Sequence, residues 1–236
     1  MKIPGGEVVD LIALAGFDFA VLDLEHSQLT YAEARHALTA ARANDLPMTV
    51  RIPTLDTGLV NRLIEAGAAG IQLSTVRSAP TASGLRRALR YGPGGSRSIS
   101  LSQPAARYGA LPLTDYLERH TRLPLAIGQL ETADFDDSVA DIVAALDVAF
   151  IGTLDLSVSA GTPGDQSSAP VRTVIDTVVA AAREAGTTLG IFAANPEETL
   201  HAIESGFDYI VIGSDVAMLR GAASQLALRA REMRAL

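Results

Sequence analysis

The chain has 236 residues, of which 48% are hydrophobic and 19% charged, a balance that excludes an intrinsically disordered protein. Its formal charge of −8 argues against nucleic acid or an anionic membrane as a partner, because an acidic surface repels phosphates. The absence of cysteine excludes thiol nucleophiles and thiolate metal sites. The single lysine, Lys2, lies at an expected mobile terminus, which argues against Schiff-base chemistry.

Short apolar strands alternate with longer amphipathic helices along the chain. In chain order, the predicted elements are a helix over 5–15, a strand over 17–24, a helix over 30–43, a strand over 48–52, a helix over 57–66, a strand over 70–73, a helix over 79–90, a strand over 125–130, a helix over 135–145, a strand over 148–151, a helical turn over 154–159, a helix over 171–185, a strand over 188–192, a helix over 196–205, a strand over 209–212 and a helix over 215–236. Thr30, with Glu33 three residues later, is a capping-box pattern, and Gly67 is predicted to end its helix.

This alternation predicts βαβ units, and continuously apolar strands are typical of parallel sheets buried on both faces. Seven strands are clear, and an eighth is assigned either to 1–3 or to 99–101. We therefore predict one domain over 1–236, an α/β TIM-like (β/α)8 barrel whose first strand is shortened or missing, with a doubly wound open sheet as the alternative. No apolar run approaches the roughly 18 residues of a membrane span and no signal-peptide pattern is seen, so the expected location is cytoplasmic.

Polar residues at the carboxyl ends of strands are the candidates for chemistry, because barrel active sites lie there. The first clear strand ends in Asp23, Glu25 and His26, and the next ends at Arg51. A carboxylate beside His26 suits acid–base catalysis, and a capping histidine is the alternative. A buried arginine needs a partner, so Arg51 is predicted to bind substrate, to form a salt bridge with Asp23 or Glu25, or to do both.

Two further carboxylates, Glu131 and Asp155, close consecutive strands that we expect to be neighbours. Gln129 shares a strand face with Glu131, because side chains alternate along a strand. Carboxylate oxygens and water suit a hard cation such as Mg²⁺ or Mn²⁺, whereas the alternative is that each acid caps a helix. Backbone N–H groups of the turn over 154–159 are predicted to receive a substrate carboxylate.

A weaker candidate is an anion site at Gly213, Ser214 and Asp215, before the last helix. Phosphate sits at this location in some barrels. This alternative predicts an isomerase that binds phosphate esters without a metal, and it leaves Glu131 and Asp155 unexplained.

Four ordered motifs resemble the signatures of the HpcH/HpaI aldolase (citrate lyase β-like) family, over about 8–219. They are Gly16-Phe17-Asp18 with Asp23-Leu24-Glu25-His26, Val50-Arg51-Ile52-Pro53, Gln129-Leu130-Glu131-Thr132, and Ile151-Gly152-Thr153-Leu154-Asp155-Leu156-Ser157. The resemblance implies a class II pyruvate aldolase on a barrel whose last helix is exchanged between subunits of a homo-oligomer, a hexamer or trimer of dimers.

The same resemblance implies the roles of individual residues. Glu131 and Asp155 are implied to bind Mg²⁺, Mn²⁺ or Co²⁺, and Arg51 to hold the keto oxygen of a small 2-oxo acid. The backbone N–H groups of Leu154 and Asp155 are implied to hold the substrate carboxylate, and Gln129 is counted among the substrate contacts.

His26, oriented by Asp23, is implied to transfer protons. The implied reaction is reversible aldol cleavage of a 4-hydroxy-2-oxo acid to pyruvate and an aldehyde through a metal-stabilised enolate. A decarboxylase, or a specialised biosynthetic lyase using the same enolate, is the near alternative. A non-catalytic barrel is the competing class, since so little sequence precedes the first helix. The family's I-P-M-V segment reads Leu73-Ser74-Thr75-Val76 here, which leaves the physiological substrate open.

Overall fold

The computed structural model describes residues 1–120 and 123–234, and within them a single sheet of seven parallel strands forms a nearly closed barrel. The strands are β1 (Ala20–Asp23), β2 (Met48–Ile52), β3 (Gly70–Leu73), β4 (Leu125–Leu130), β5 (Val148–Ile151), β6 (Thr188–Ala193) and β7 (Tyr209–Ile212). Each strand pairs with the next one along the chain, in the order β1 to β7. The fold is thus the predicted TIM-like barrel, and its seam lies between β7 and β1.

Helices cover the outside of this sheet. They are α1 (Gly6–Leu14), α2 (Tyr31–Ala43), α3 (Thr57–Ala66), α4 (Ala79–Leu89), α5 (Leu113–Arg119), α6 (Val139–Ala144), α7 (Thr153–Ser159), α8 (Ala169–Ala185), α9 (Pro196–Glu204) and α10 (Asp215–Arg234), with a 3-10 segment over Pro104–Gly109. The last two residues of the final predicted helix, 235–236, lie outside the described residues. Within residues 1–120 and 123–234, no helix is long and apolar enough to cross a membrane.

Local signals explain where several helices begin and end. The Thr30 side chain accepts the backbone N–H of Glu33, and the Glu33 side chain accepts that of Thr30, so the predicted capping box is confirmed. Helix α3 ends at Gly67, whose φ of 111° is in the left-handed region that favours glycine. The segment 99–101, one of the two proposed eighth strands, forms no strand because β3 pairs directly with β4.

Two apolar layers support the site. A large outer core lies between the sheet and the helices, and a smaller inner cluster fills the barrel with Ile127, Val148, Phe150 and Tyr209. The Tyr209 hydroxyl lies 2.9 Å from the Thr49 hydroxyl, which joins β7 to β2 through the interior. These residues close the barrel below its mouth, so the polar strand ends above them form the floor of a cavity.

The N-terminal segment takes the place of the missing strand at the seam. The Met1 carbonyl accepts the backbone N–H of Asp23 at 2.9 Å, which attaches it to β1. On the other side, the backbone N–H groups of Lys2 and Ile3 donate to the Asp215 carboxylate at 2.8–3.0 Å. The segment 1–3 forms no strand of the sheet, but it lies where the shortened first strand was predicted and is held on both sides.

Candidate active site

The carboxyl ends of the strands surround a cavity of about 450 Å³. Three of the predicted catalytic residues, Asp23, His26 and Arg51, line it together with Gln129 and residues 152–155 at the start of α7. The lining residues therefore come together from the ends of β1, β2, β4 and β5, although they are up to 132 positions apart in the chain (155 − 23), and the predicted Glu131 lies near Asp155 without lining the cavity.

Asp23 and Arg51 form the central ion pair of the site. Arg51 Nε donates to Asp23 Oδ1 at 3.0 Å, and Nη2 donates to Oδ2 at 2.6 Å, a two-bond fork between neighbouring positions of β1 and β2. Arg51 Nε also lies 3.3 Å from Glu25 Oε2. The salt-bridge alternative for Arg51 is thus confirmed for both carboxylates, while its guanidinium still lines the cavity.

The charge state of Asp23 follows from these contacts. Burial alone would raise the pKa of Asp23, but the hydrogen bonds and charge of Arg51 outweigh it. The backbone N–H groups of Glu25 and His26 add two hydrogen bonds to Oδ1 at 3.0 and 3.1 Å. The pKa of Asp23 is consequently held well below its usual range, and Asp23 is a fixed anion that fastens Arg51 in place.

His26 is the most exposed of the predicted catalytic side chains. Its Nε2 lies 3.7 Å from Glu25 Oε2, and 57% of its side chain is accessible to solvent. Asp23 accepts the backbone N–H of His26, whereas the carboxylate that pairs with the imidazole ring is that of Glu25. The turn after β1 therefore places His26 over the cavity, and Asp23 positions it through the backbone.

Glu131 is buried beside the cavity and is not one of its lining residues. Its Oε1 accepts the backbone N–H of Thr75 at 2.7 Å and the Thr75 hydroxyl at 2.8 Å, while Oε2 accepts the Gln129 amide. Burial raises the pKa of Glu131, and the charge of Asp155 raises it further, although the hydrogen bonds from Thr75 and Gln129 oppose this. Asp155 thus lies near enough for its charge to disfavour ionisation of Glu131.

Gln129 belongs to a short chain of amides behind the ion pair. Gln72 Nε2 donates to Gln129 Oε1 at 2.6 Å, and Gln129 Nε2 donates to Glu131. Gln72 Oε1 is buried without a hydrogen-bond partner. Within the described residues, the side-chain hydrogen bonds of Gln129 are therefore with Glu131 and Gln72, and its predicted contact with substrate stays a prediction.

Ser74 and Thr75, which follow β3, are site residues that we did not assign from the sequence. The Ser74 hydroxyl donates to Glu25 Oε2 at 2.5 Å, and Thr75 holds Glu131. Thr75 has a φ of 51°, which is rare for a β-branched residue and is found where surrounding contacts impose it. The sequence could have indicated Ser74 and Thr75 as site residues, because they directly follow an apolar strand, as Glu131 follows β4.

Helix α7 brings Leu154 and Asp155 to the cavity. A Cβ at Gly152, which precedes the helix, would lie 2.8 Å from Glu131 Oε2, so the glycine allows the turn to approach this carboxylate. No side chain caps α7, and its exposed first residues Leu154 and Asp155 line the cavity. Unlike Glu131, Asp155 is open to solvent.

The Glu131–Asp155 corner fits a hard divalent cation. Its donors are carboxylate oxygens, and neither acid has an ion-pair partner among the described residues. A cation there would offset the burial that raises the pKa of Glu131. Within residues 1–120 and 123–234, no three His, Asp or Glu side chains gather around one metal position, so water and substrate would supply the remaining ligands.

One expectation from the sequence is wrong, and a second is disfavoured by the structure. Lys2 is not a free terminus: its Nζ lies 3.4 Å from Asp23 Oδ2, and it lines the cavity. Its side chain is 37% exposed and ion-paired, which is unlike the desolvated pocket of an imine-forming lysine. The proposed phosphate position before α10 holds the Asp215 carboxylate, which accepts the N–H groups of Lys2 and Ile3. That negative charge disfavours a phosphate there.

Comparison with known proteins places this barrel in the class of aldolase-type carbon–carbon lyases. The chain belongs to the HpcH/HpaI aldolase/citrate lyase family, which residues 6–222 match. The resemblance carried by the four sequence motifs is thereby confirmed.

Individual relatives agree with this assignment. A hydroxypyruvate/pyruvate aldolase of Roseovarius nubinhibens is 31% identical over 218 residues, covering 92% of this chain and 84% of the relative. A 5-keto-4-deoxy-D-glucarate aldolase of Klebsiella pneumoniae is 29% identical over 220 residues, covering 92% and 85%. The solved structure of an HpcH/HpaI aldolase from Desulfitobacterium hafniense has a TM-score of 0.90 at 26% identity, covering 98% of this chain and 91% of that one.

Proposed function

We propose that the protein catalyses the reversible aldol cleavage of a 4-hydroxy-2-oxo acid to pyruvate and an aldehyde. The observation that carries this proposal is the meeting of Arg51 with the Glu131–Asp155 corner at the mouth of the barrel. Relatives named hydroxypyruvate/pyruvate aldolases support a small 2-oxo acid as the nucleophile.

Cytoplasmic residence remains a prediction, which cell fractionation would check.

In this proposal Glu131 and Asp155 hold Mg²⁺, Mn²⁺ or Co²⁺. The cation, when bound, acts as a Lewis acid that stabilises negative charge on the 2-oxo acid. Thr75 and Gln129 fix the orientation of Glu131 through three hydrogen bonds, so this ligand is held before substrate arrives.

Arg51 binds the keto oxygen, where negative charge develops as the carbon–carbon bond breaks. The fork with Asp23 fixes the guanidinium, so no reorganisation is needed during the reaction. The uncapped first turn of α7, at Leu154 and Asp155, offers backbone N–H groups to the substrate carboxylate.

His26 Nε2, in its neutral form, accepts the proton of the substrate C4 hydroxyl. The C3–C4 bond then breaks, the aldehyde leaves, and the electron pair remains as the enolate of pyruvate. Return of the proton from His26 to C3 gives pyruvate and restores the neutral imidazole. Glu25, 3.7 Å from Nε2, stabilises the protonated ring between these two steps.

Proton–deuterium exchange at the methyl group of pyruvate tests the proposal without knowledge of the aldehyde. We expect NMR to show exchange with Mg²⁺, or with Mn²⁺ at low loading, and none above the protein-free rate with a chelator. Absence of exchange with every metal would contradict enolate formation from pyruvate. Release of carbon dioxide from oxaloacetate, without aldol cleavage of any 4-hydroxy-2-oxo acid, would favour the decarboxylase alternative.

Helix α10 supports the proposal that the protein is a homo-oligomer. From Val216 onward its described side chains are exposed or half-buried, including the apolar Leu219 and Leu226. These exposed apolar side chains would be buried against a neighbouring subunit if α10 were exchanged between subunits.

Replacing both Leu219 and Leu226 with glutamate is therefore expected to convert the oligomer to monomers, because charges on that face would be buried without partners. Light scattering measures the mass, and Gln225→Glu on the same helix is the control that should leave it unchanged. A wild-type monomer at micromolar concentration would refute the oligomer itself.

A further inference from the structure

Glu25 is the carboxylate that links the ion pair of the site to its proton-transfer residue. Its Oε2 lies 3.3 Å from Arg51 Nε and 3.7 Å from His26 Nε2, and the same oxygen accepts the Ser74 hydroxyl at 2.5 Å. In the part of the chain that the structure describes, Ser74 is the residue that donates a hydrogen bond to this carboxylate, and the other two are charge contacts. One hydroxyl therefore decides where Oε2 lies.

Ser74 is held firmly enough to fix the position of Glu25. Its backbone N–H donates to the Ile52 carbonyl at 3.1 Å, which continues the pairing of β3 with β2. Two residues later, the N–H of Val76 donates to the Gln129 carbonyl of β4 at 2.9 Å. Ser74 is also 4% exposed, so its hydroxyl is shielded from bulk water. The donor thus belongs to the rigid sheet, whereas the Glu25 side chain extends from the turn after β1.

Loss of the Ser74 hydroxyl would leave the mostly buried Glu25 carboxylate short of a donor. Arg51 is poorly placed to replace that bond, because its Nε already donates to Asp23 Oδ1 at 3.0 Å. His26 is better placed, since its Nε2 becomes a donor once the ring is protonated. A movement of Oε2 by about 1 Å would turn the 3.7 Å contact into a charge-assisted hydrogen bond. A released Glu25 would therefore favour the protonated ring.

The proposed reaction needs the ring of His26 to be neutral when substrate binds, because the ring then accepts the proton of the C4 hydroxyl. A carboxylate in direct contact would keep the ring protonated over a wider pH range and remove the base. At 3.7 Å, Glu25 still stabilises the protonated ring after the transfer, but it makes no hydrogen bond that would hold the proton there.

Other charged groups around this mouth come from five parts of the fold: Lys2 from the segment 1–3, Asp23 from β1, Arg51 from β2, Glu131 from the end of β4 and Asp155 from α7. Within the described residues, the Ser74 side chain hydrogen-bonds to Glu25 and to none of these groups. Removing its hydroxyl therefore acts on His26 through Glu25.

We propose that Ser74 is a positioning residue for proton transfer, because its hydroxyl holds Glu25 back from His26 and so keeps the imidazole available as a base. This inference rests on the proposed aldol reaction and adds a residue that acts on the base through another side chain. The family's I-P-M-V segment has proline where Ser74 stands, and proline has no side-chain donor. The contact is thus a feature of this chain.

The ring titration of His26, followed by NMR in the metal-free protein, tests this role directly. In Ser74→Ala the midpoint of the titration should rise by about 0.5–1 pH unit, as expected when a carboxylate moves into contact with an imidazole. Ser74→Thr keeps the hydroxyl and should keep the wild-type midpoint. Ser74→Cys has a similar shape and a weak donor, so it should shift the midpoint in the same direction and serves if the alanine variant fails to fold. The His26 signal is assigned by its loss in His26→Gln.

Methyl exchange of pyruvate with saturating Mg²⁺ gives a kinetic readout of the same change. The acid limb of its pH profile should move to higher pH in Ser74→Ala. The exchange rate should consequently fall about 3- to 10-fold at acidic pH and approach that of the wild type at alkaline pH. A purely structural defect would lower the rate by the same factor at every pH.

Two controls isolate the contact between Ser74 and Glu25. Ser78→Ala removes a hydroxyl that bonds to Thr81 in the loop between β3 and α4, away from the cavity lining, and should leave the midpoint unchanged. In a Glu25→Gln background, Ser74→Ala should no longer raise the midpoint, because the charge is gone.

An unchanged or lowered midpoint in Ser74→Ala would overturn the role of Ser74, and so would a loss of exchange that is equal at every pH. Absence of exchange in the wild type would refute the proposed function instead. The ring titration needs neither metal nor substrate, so it judges the contact in either case.

Discussion

Glu131→Gln is expected to lower metal-dependent turnover by at least about 10²–10³-fold, the loss typical of removing one preorganised group that stabilises charge. The substitution keeps the shape of the side chain and removes the charge that would hold the cation. Activity is measured with saturating Mg²⁺ as methyl exchange of pyruvate. Glu204→Gln, an exposed change on α9, is the control and should leave exchange unaffected.

The fold should tolerate Glu131→Gln, because the surrounding amides can reverse. The new amide oxygen still accepts from Thr75, and its NH₂ group meets Gln129, whose own amide must turn to accept. Gln72 can turn in the same way, since its Oε1 has no partner to lose. A variant that fails to fold would contradict this account of the amide chain.

The pH dependence of stability gives an independent readout of the same substitution. Burial raises the pKa of Glu131, so the ionised group costs stability in the metal-free protein above that pKa. The metal-free variant should therefore melt at or above the wild-type temperature at about pH 7. As the pH falls through the raised pKa, the wild-type Glu131 carboxyl gains its proton. The difference in melting temperature between the two metal-free proteins should then narrow. Mg²⁺ should raise the melting temperature of the wild type alone.

Sequence patterns predicted the fold well because the strands are short, apolar and separated by strong stop signals. The bounds of β2, β3, β4, β5 and β7 agree with the predictions. Strand β1 begins at Ala20, three residues later than predicted, because its ladder with β2 begins at Met48, after Pro47, which has no N–H to donate. Helix α5 was missed because the long segment before β4 has little helical periodicity.

The residues of the candidate site could be predicted where a polar residue directly follows or ends an apolar strand. Asp23, Arg51, Glu131 and Asp155 were assigned in this way, and the structure places Asp23, Arg51 and Asp155 at one mouth with Glu131 near Asp155. The contacts of Lys2 and Thr75 depend instead on the alignment of distant segments, which no local pattern records. Lys2 reaches Asp23 only because the segment 1–3 occupies the seam, and Thr75 reaches Glu131 only through the pairing of β3 with β4.

Arg51→Met is expected to remove both activity and stability, because the guanidinium serves the reaction and neutralises buried acids. Methyl exchange should fall about 10²–10³-fold through loss of a fixed donor at the keto oxygen. The free energy of unfolding should fall by about 2–4 kcal/mol, near the lower end for a broken buried pair, since Lys2 and two backbone N–H groups remain on Asp23. Urea unfolding in the presence of a chelator measures this quantity without metal effects.

The direction in which pH changes the stability difference between wild type and Arg51→Met follows from the charge of Asp23. Its lowered pKa means that the wild type gains stability above the unfolded value of about 3.9, and loses that gain as the pH falls below it. In Arg51→Met most of this gain is absent, so the stability difference between the two proteins should shrink in acid. A difference that stays constant from neutral to acidic pH would contradict the assignment of Asp23 as the anion that Arg51 neutralises.

A matched ion pair at the other end of the barrel separates the two roles of Arg51. Arg90 Nη2 donates to Asp147 Oδ2 at 2.8 Å, next to the starts of β4 and β5, and Arg90 is as buried as Arg51. Arg90→Met should lose stability and keep methyl exchange, since neither partner lines the cavity. Arg51→Lys should keep much of the stability and recover little activity, because an ammonium cannot form the two-bond fork that fixes the donor. If Arg51→Met instead exchanged the pyruvate methyl group as fast as Arg90→Met, Arg51 would be a structural residue and the keto oxygen would have to bind elsewhere.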